Sequence, residues 1–135
     1  MKVHHIGYIV DNMENSIKEF EGLGFKILQK NQYDEIRDIN ICFIENGGII
    51  IELVQPKTKE SVIYKMAGKY KNMPYHICYE TDDMDRDIER LKQRGYMVIQ
   101  KPERAPAINN SKVVFLMHLD MGIIELLEKN KGVYV

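Results

Sequence analysis

Residues 5–27, HIGYIVDNMENSIKEFEGLGFKI, find a near copy further along the chain in residues 76–98, HICYETDDMDRDIERLKQRGYMV. At a constant offset of 71 and without a gap, His5/His76, Ile6/Ile77, Tyr8/Tyr79, Asp11/Asp82, Met13/Met84, Ile17/Ile88 and Gly24/Gly95 are identical. Phe20/Leu91 and Phe25/Tyr96 are alike in kind. The two copies also close alike. GGIIIELV, carrying Glu52, matches MGIIELLE, carrying Glu125, at an offset of 73, so the two extra residues fall in the intervening loop. Self-similarity at one period over so much of a chain marks a duplicated supersecondary unit.

Each copy reads as βαβββ. Residues 3–10 are a β-rich run, and Asp11 or Asn12 can cap a helix whose apolar positions Met13, Ile17 and Phe20 follow helical spacing. Gly22 and Gly24 stop it. Strands are expected over residues 25–29, 36–44 and 49–54, the last after an Asn46-Gly47-Gly48 turn. The second copy repeats the pattern over residues 75–80, 84–94, 96–100, 112–117 and 122–128. The chain is thus expected to be one α+β domain, residues 1–135, with module one at 1–56, a linker at 57–73 and module two at 74–130. In the polar linker, Val62, Ile63, Tyr64 and Met66 can form one short amphipathic helix.

Length and composition agree with a single domain. The 135 residues are 44% hydrophobic and 29% charged, ordinary for a globular chain that buries a core without staples. Nineteen Lys and Arg against twenty Asp and Glu leave a charge of −1, so no general basic field recruits nucleic acid or an anionic membrane. No stretch approaches a membrane span, and His4 and His5 interrupt any leader-like apolar run at the N-terminus. Cys42 and Cys78 lie in apolar runs and read as buried thiols of a reducing compartment, which makes the cytoplasm the expected location.

The functional signal is four polar side chains in apolar strands. Each copy holds one His in its first strand and one Glu in its last: His5 and Glu52, His76 and Glu125. A carboxylate in IIIELV or GIIELL is costly to bury unless paired, protonated or bound to metal. Alternation places His5 with Val3 and Ile9, and Glu52 with Ile50 and Val54. Two imidazoles and two carboxylates suit a borderline divalent ion, Ni, Co, Zn, Mn or Fe, with positions left for water or substrate. One such residue alone reads as a satisfied core side chain; four in register with the duplication read as ligands. His4, on the opposite face, and His118, near a turn, are assigned no role.

On these residues the chain resembles the vicinal oxygen chelate superfamily, which includes glyoxalase I, methylmalonyl-CoA epimerase, extradiol dioxygenases and bleomycin-resistance proteins. The resemblance implies paired βαβββ modules forming a curved mixed sheet around a metal, and a ligand set His5, Glu52, His76 and Glu125. IELVQPKTKESVI, HICYETDDM and GIIELLEK are similar to the epimerase pattern in particular. It implies a metal-dependent isomerase or lyase that removes a proton next to a carbonyl, epimerase-like, with glyoxalase I (lactoylglutathione lyase) and a non-catalytic binding protein as alternatives. Glu125 is the expected base and Glu52 the second acid–base group. The epimerase's further acid has its nearest candidates in Glu35 and Asp38, and RAPAINNSK replaces a Gly-rich loop. The substrate is expected to be an acyl-CoA thioester or a glutathione hemithioacetal. Lys57, Lys59, Lys69, Lys71, Arg104 and Lys112 are candidate contacts to its tail, and a homodimer is expected.

Overall fold

The computed structural model describes residues 1–129; residue 130, the expected end of module two, lies outside them. The described residues divide into two compact units, one His5–Tyr75 and the other Met1–His4 with the residues from His76 onward. The first is built from β1 (Lys2–Ile9), α1 (Met13–Gly22), β2 (Lys26–Asp34), β3 (Ile39–Asn46) and β4 (Ile49–Pro56), followed by α2 (Tyr64–Lys69). Its strands lie in the order β2-β3-β4-β1, with β4 antiparallel to β3 and parallel to β1. The second repeats this with β5 (Met73–Thr81), α3 (Met84–Lys92), β6 (Met97–Ala105), β7 (Ser111–His118) and β8 (Gly122–Glu128), ordered β5-β8-β7-β6. No helix among the described residues is long and apolar enough to cross a membrane.

In each unit one face of the sheet is covered by its own helix. Val10, Cys42, Ile44, Ile51 and Leu53 pack with Met13, Ile17 and Phe20 in the first. Val114, Leu116, Ile124 and Leu126 pack with Met84, Ile88 and Leu91 in the second. The helices start for the same reason in both. Asn12 accepts from the Asn15 N–H at 3.0 Å, and Asp83, its counterpart in the repeat, accepts from the Arg86 N–H at 3.1 Å. The cap is therefore Asn12, while Asp11 instead ties its backbone to Asn72 and Gln55. Cys42 and Cys78 form no disulfide among the described residues and are fully buried, and burial pushes the Cys42 thiol up.

Both second strands run longer than their sequences suggest. In β2, Ile27 faces Ile44, Gln29 faces Phe43 and Gln32 faces Ile41, with a register shift at each step. In β6 the same shifts recur, with Val98 facing Leu116, Gln100 facing Phe115 and Glu103 facing Val113. These bulges break the period-two pattern, so a polar run such as KNQYD reads as loop although its last three residues pair with β3. The third strand begins at Ile39 rather than at residue 36, because Asp34 accepts from the Ile36 and Arg37 N–H groups and holds a turn. Val3 also departs from expectation, being 55% exposed. RAPAINNSK folds as the end of β6 and a 3-10 turn, Pro106–Ile108, followed by Asn109 and Asn110 in the left-handed region.

The helix ends show how close the two copies remain. Gly24 and Gly95 sit at φ +98° and +95°, and Asn46 and His118 donate to the carbonyls just before them, Leu23 and Arg94. His118 Nδ1 accepts from the Asp120 N–H at 3.0 Å, which leaves Nε2 as the donor to Arg94. A Cβ on Gly95 would stand 3.2 Å from that Nε2. Gly95→Ala is expected to cost about 1–3 kcal/mol in urea unfolding, from the left-handed backbone and this contact together.

One buried charge belongs to the second unit alone. Asp87 is 4% exposed, accepts from the Thr81 hydroxyl, and faces Arg90 Nε at 3.4 Å and Arg86 Nε at 3.5 Å. Burial pushes its carboxyl up, but the hydroxyl and both guanidinium groups outweigh that and hold it below the ordinary 3.8. A depressed carboxyl stabilises the fold above its unfolded value and ceases to do so as pH falls through the folded one. Asp87→Asn should therefore cost about 1–3 kcal/mol at pH 7, and the difference from wild type should close below about pH 4 in a pH series of urea melts.

Candidate functional site

The sheet face away from the helix holds the unusual residues. In the first unit it carries His5, Gly7 and Ile9 on β1, Glu52 and Val54 on β4, and Ile39, Ile41 and Phe43 on β3, as alternation and the pairings Gly7↔Glu52 and Phe43↔Glu52 require. His5 is 1% exposed and Glu52 5%. His5 Nε2 lies 3.5 Å from Glu52 Oε1, and the imidazole stands edge-on to Phe43 with ring centroids 5.4 Å apart.

The second unit builds the same arrangement. His76 and Cys78 on β5 share a face with Glu125 and Leu127 on β8 and with Val113 and Phe115 on β7. His76 is 3% exposed and Glu125 also 3%. His76 Nε2 lies 3.1 Å from Glu125 Oε1, and its ring meets Phe115 edge-on at 5.2 Å. The two phenylalanines were not singled out from the sequence. They occupy matching positions, 43 and 115, and the repeat itself is the signal that could have found them.

These spacings suit a shared cation. Ligand atoms about 2.1 Å from one ion lie about 3.0 Å apart at a right angle and about 3.4 Å apart at the tetrahedral angle. The observed 3.1 and 3.5 Å match that spread. An imidazole nitrogen with a carboxylate oxygen is a donor set for a borderline divalent ion. Each unit thus brings its His and Glu together in a geometry that fits metal ligation.

The other expected residues lie elsewhere. Asp38, at φ +55°, accepts from the Tyr33 hydroxyl at 2.7 Å and from both the Thr58 hydroxyl and backbone, which hold its carboxyl below the usual range. It closes a loop. Glu35 is an exposed residue of the preceding turn. The inward positions of β3 are Ile39, Ile41, Phe43 and Glu45, and Glu45, opposite Ile50 at the hairpin end, accepts from the Gly48 N–H at 3.0 Å. Among the basic candidates, Lys71 lies 3.9 Å from Asp11, Lys69 covers the ring of Tyr70, and Arg104 donates to Asn110. Lys57, Lys59 and Lys112 are exposed. His4 is half-buried in β1, and His118 closes the helix end described above.

Known proteins extend this picture. Ethylmalonyl-CoA/methylmalonyl-CoA epimerase of Cereibacter sphaeroides is 25% identical over 131 residues, covering 93% of this chain and 96% of its own. The crystal structure of hypothetical protein BH1468 from Bacillus halodurans C-125 shares 26% identity at a TM-score of 0.84, covering 99% of this chain and 98% of that one. A variant of Streptomyces coelicolor methylmalonyl-CoA epimerase, solved in complex with 2-nitronate-propionyl-CoA, shares the fold at a TM-score of 0.80 with 20% identity, over 97% of this chain and 96% of its own. The model of the Glyoxalase/Bleomycin resistance protein/Dioxygenase superfamily matches residues 4–115. With most of its length matched, the chain belongs to that superfamily, the vicinal oxygen chelate group that its sequence resembles.

Proposed function

We propose that His5, Glu52, His76 and Glu125 together hold one divalent cation, Ni, Co, Zn, Mn or Fe, and that the chain is a metal-dependent isomerase acting on a carbon acid next to a carbonyl. The observation that carries this reading is the occurrence, in both units, of the same buried His–Glu pair at ligand spacing with a phenylalanine edge against the imidazole. A cation held there supplies Lewis-acid stabilisation of the oxygen that gains charge when the proton leaves.

The chain's own residues do the rest. Glu125 is the base in this reading, a carboxylate set among Phe115, Cys78 and Leu127 where water has little access. Glu52 is the second acid–base group. Phe43 and Phe115 hold the imidazole planes. An acyl-CoA thioester is favoured as substrate because the relatives named above act on or bind such molecules. A specific observation keeps glyoxalase I-type lyase activity as the second reading. Glu35 and Asp38, the residues expected to supply the extra acid that the epimerase resemblance implies, lie in the turn before β3 and not on its inward face, and a lyase moving one proton between adjacent carbons can work with a single base.

Two outcomes follow. His5→Ala and His76→Ala should each lower bound metal by elemental analysis, and unchanged stoichiometry in both would remove the proposed centre. In metal-free protein, His76→Ala leaves Glu125 buried without its imidazole and should cost about 1–3 kcal/mol in urea unfolding. Assay of the metal-loaded protein on methylmalonyl-CoA and on the methylglyoxal–glutathione hemithioacetal separates the two activities. Inactivity on both with metal bound rejects the isomerase reading.

A further inference from the structure

Toward the hairpin end of the sheet face that carries the His–Glu pairs, the two copies part company. In the second unit Met97 on β6 faces Met117 on β7, and Met117 faces Ile123 on β8. Directly opposed residues of antiparallel strands point to the same side of a sheet. Met117 lies two residues from Phe115 and Ile123 two residues from Glu125, so the row Met97, Met117 and Ile123 shares the face of His76 and Glu125. The next pair, Val98 with Leu116, belongs to the helix side and packs in the core.

The matching row of the first unit is Lys26, Glu45 and Ile50, in which opposite charges stand across from each other. Both rows hold the same place relative to a phenylalanine and a His–Glu pair, yet only the second is apolar on all three strands. Met97 is 57% exposed, Met117 and Ile123 are half-buried, and the turn beside them exposes Leu119 and Met121. A contiguous apolar surface left in water beside polar site residues marks a place that meets an apolar ligand. Methionine suits that role, because its unbranched thioether adapts to chains of differing shape.

Resting on the isomerase reading above, we infer that the row Met97, Met117 and Ile123 binds a straight apolar acyl chain and makes the protein selective for thioesters whose acyl group carries several methylenes. Distance sets the chain length. The row lies two residues along the strands from Phe115 and Glu125, about 7 Å at roughly 3.3 Å per residue. An acyl group whose carbonyl is held beside the His76–Glu125 pair spans that gap with several methylenes, whereas a single methyl falls short of it. Phe115, whose edge meets His76, lies along the way. The row brings no charge and no ligand atom suited to a borderline cation, so it acts on affinity and chain-length preference and leaves metal binding to the His–Glu pairs.

The test measures binding of acetyl-, butyryl- and hexanoyl-CoA to the metal-loaded protein by calorimetry. Each methylene that the row takes out of water should tighten binding about three- to fourfold. In protein labelled with 13C at the methionine methyls, the signals of Met97 and Met117, assigned from Met97→Leu and Met117→Leu, should move with hexanoyl-CoA and stay still with acetyl-CoA. Met97→Lys combined with Met117→Glu installs the pair that the first unit already carries, and should flatten the series to within about twofold while metal content holds at the wild-type value. Equal affinity at all lengths, or no binding at any, overturns the inference. So do methyl shifts of the same size with acetyl-CoA, which would assign the row to the CoA arm instead. Turnover of methylmalonyl-CoA without a chain-length gain rejects the row and leaves the isomerase reading intact. A chain-length gain with methyl shifts, in metal-loaded protein inactive on methylmalonyl-CoA and on the hemithioacetal, rejects the isomerase reading and keeps the row as the acyl-chain site.

Discussion

A carboxylate placed in the middle of a four-stranded apolar sheet has to be compensated, and most of what is distinctive in this chain follows from doing so twice. Glu52 and Glu125 are flanked on β3 and β7 by phenylalanines and on β1 and β5 by Gly7 and Cys78. Water does not reach them in quantity. Desolvating an isolated carboxylate at such a depth would exceed the few kcal/mol that separate folded from unfolded chains. The imidazole two positions ahead of each register partner lies on the same face and reaches the carboxylate. Small residues at 7 and 78 leave space over the strand for that approach. The pair, rather than either residue alone, is the unit that the fold carries.

Duplication then explains why the copies agree where they do. Helix caps, closing glycines, the side chains that bond the carbonyls before them and the paired bulges all recur at matching positions. Where packing is identical, drift is confined to chemically equivalent solutions, and Asn46 and His118 each donate one N–H to one carbonyl. Divergence is free where the side chain meets no fixed neighbour. Asp87 with its two arginines is a buried charge at a place where the first unit has Ser16; it is neutralised internally and serves stability.

Much of this was legible in the sequence because the repeat makes weak local signals reinforce one another. His5 and Glu52 alone would be an ordinary core pair; their recurrence as His76 and Glu125 separates them from background. The helix of each copy and the short helix in the linker followed from spacing, with the first cap narrowed to Asp11 or Asn12. What was not legible shares a single cause. A bulge adds a residue without a sequence mark, so alternation counted from Phe25 or Tyr96 loses phase at the first shift and assigns Gln29 and Gln100 to the wrong side. Glu35 and Asp38 were named from the resemblance, and both lie in the turn that precedes β3 rather than on its inward face. Asp38 was further disguised because its bonds to Tyr33 and Thr58 are loop chemistry, invisible to spacing arguments.

Depth sorts the acidic groups by what they can do. Glu52 and Glu125 are nearly inaccessible and held by imidazoles, which suits groups that must keep a fixed position while charge changes beside them. Both sit on interior strands, between β3 and β1 in the first unit and between β7 and β5 in the second, so the neighbours that exclude water also fix the carboxylates in place.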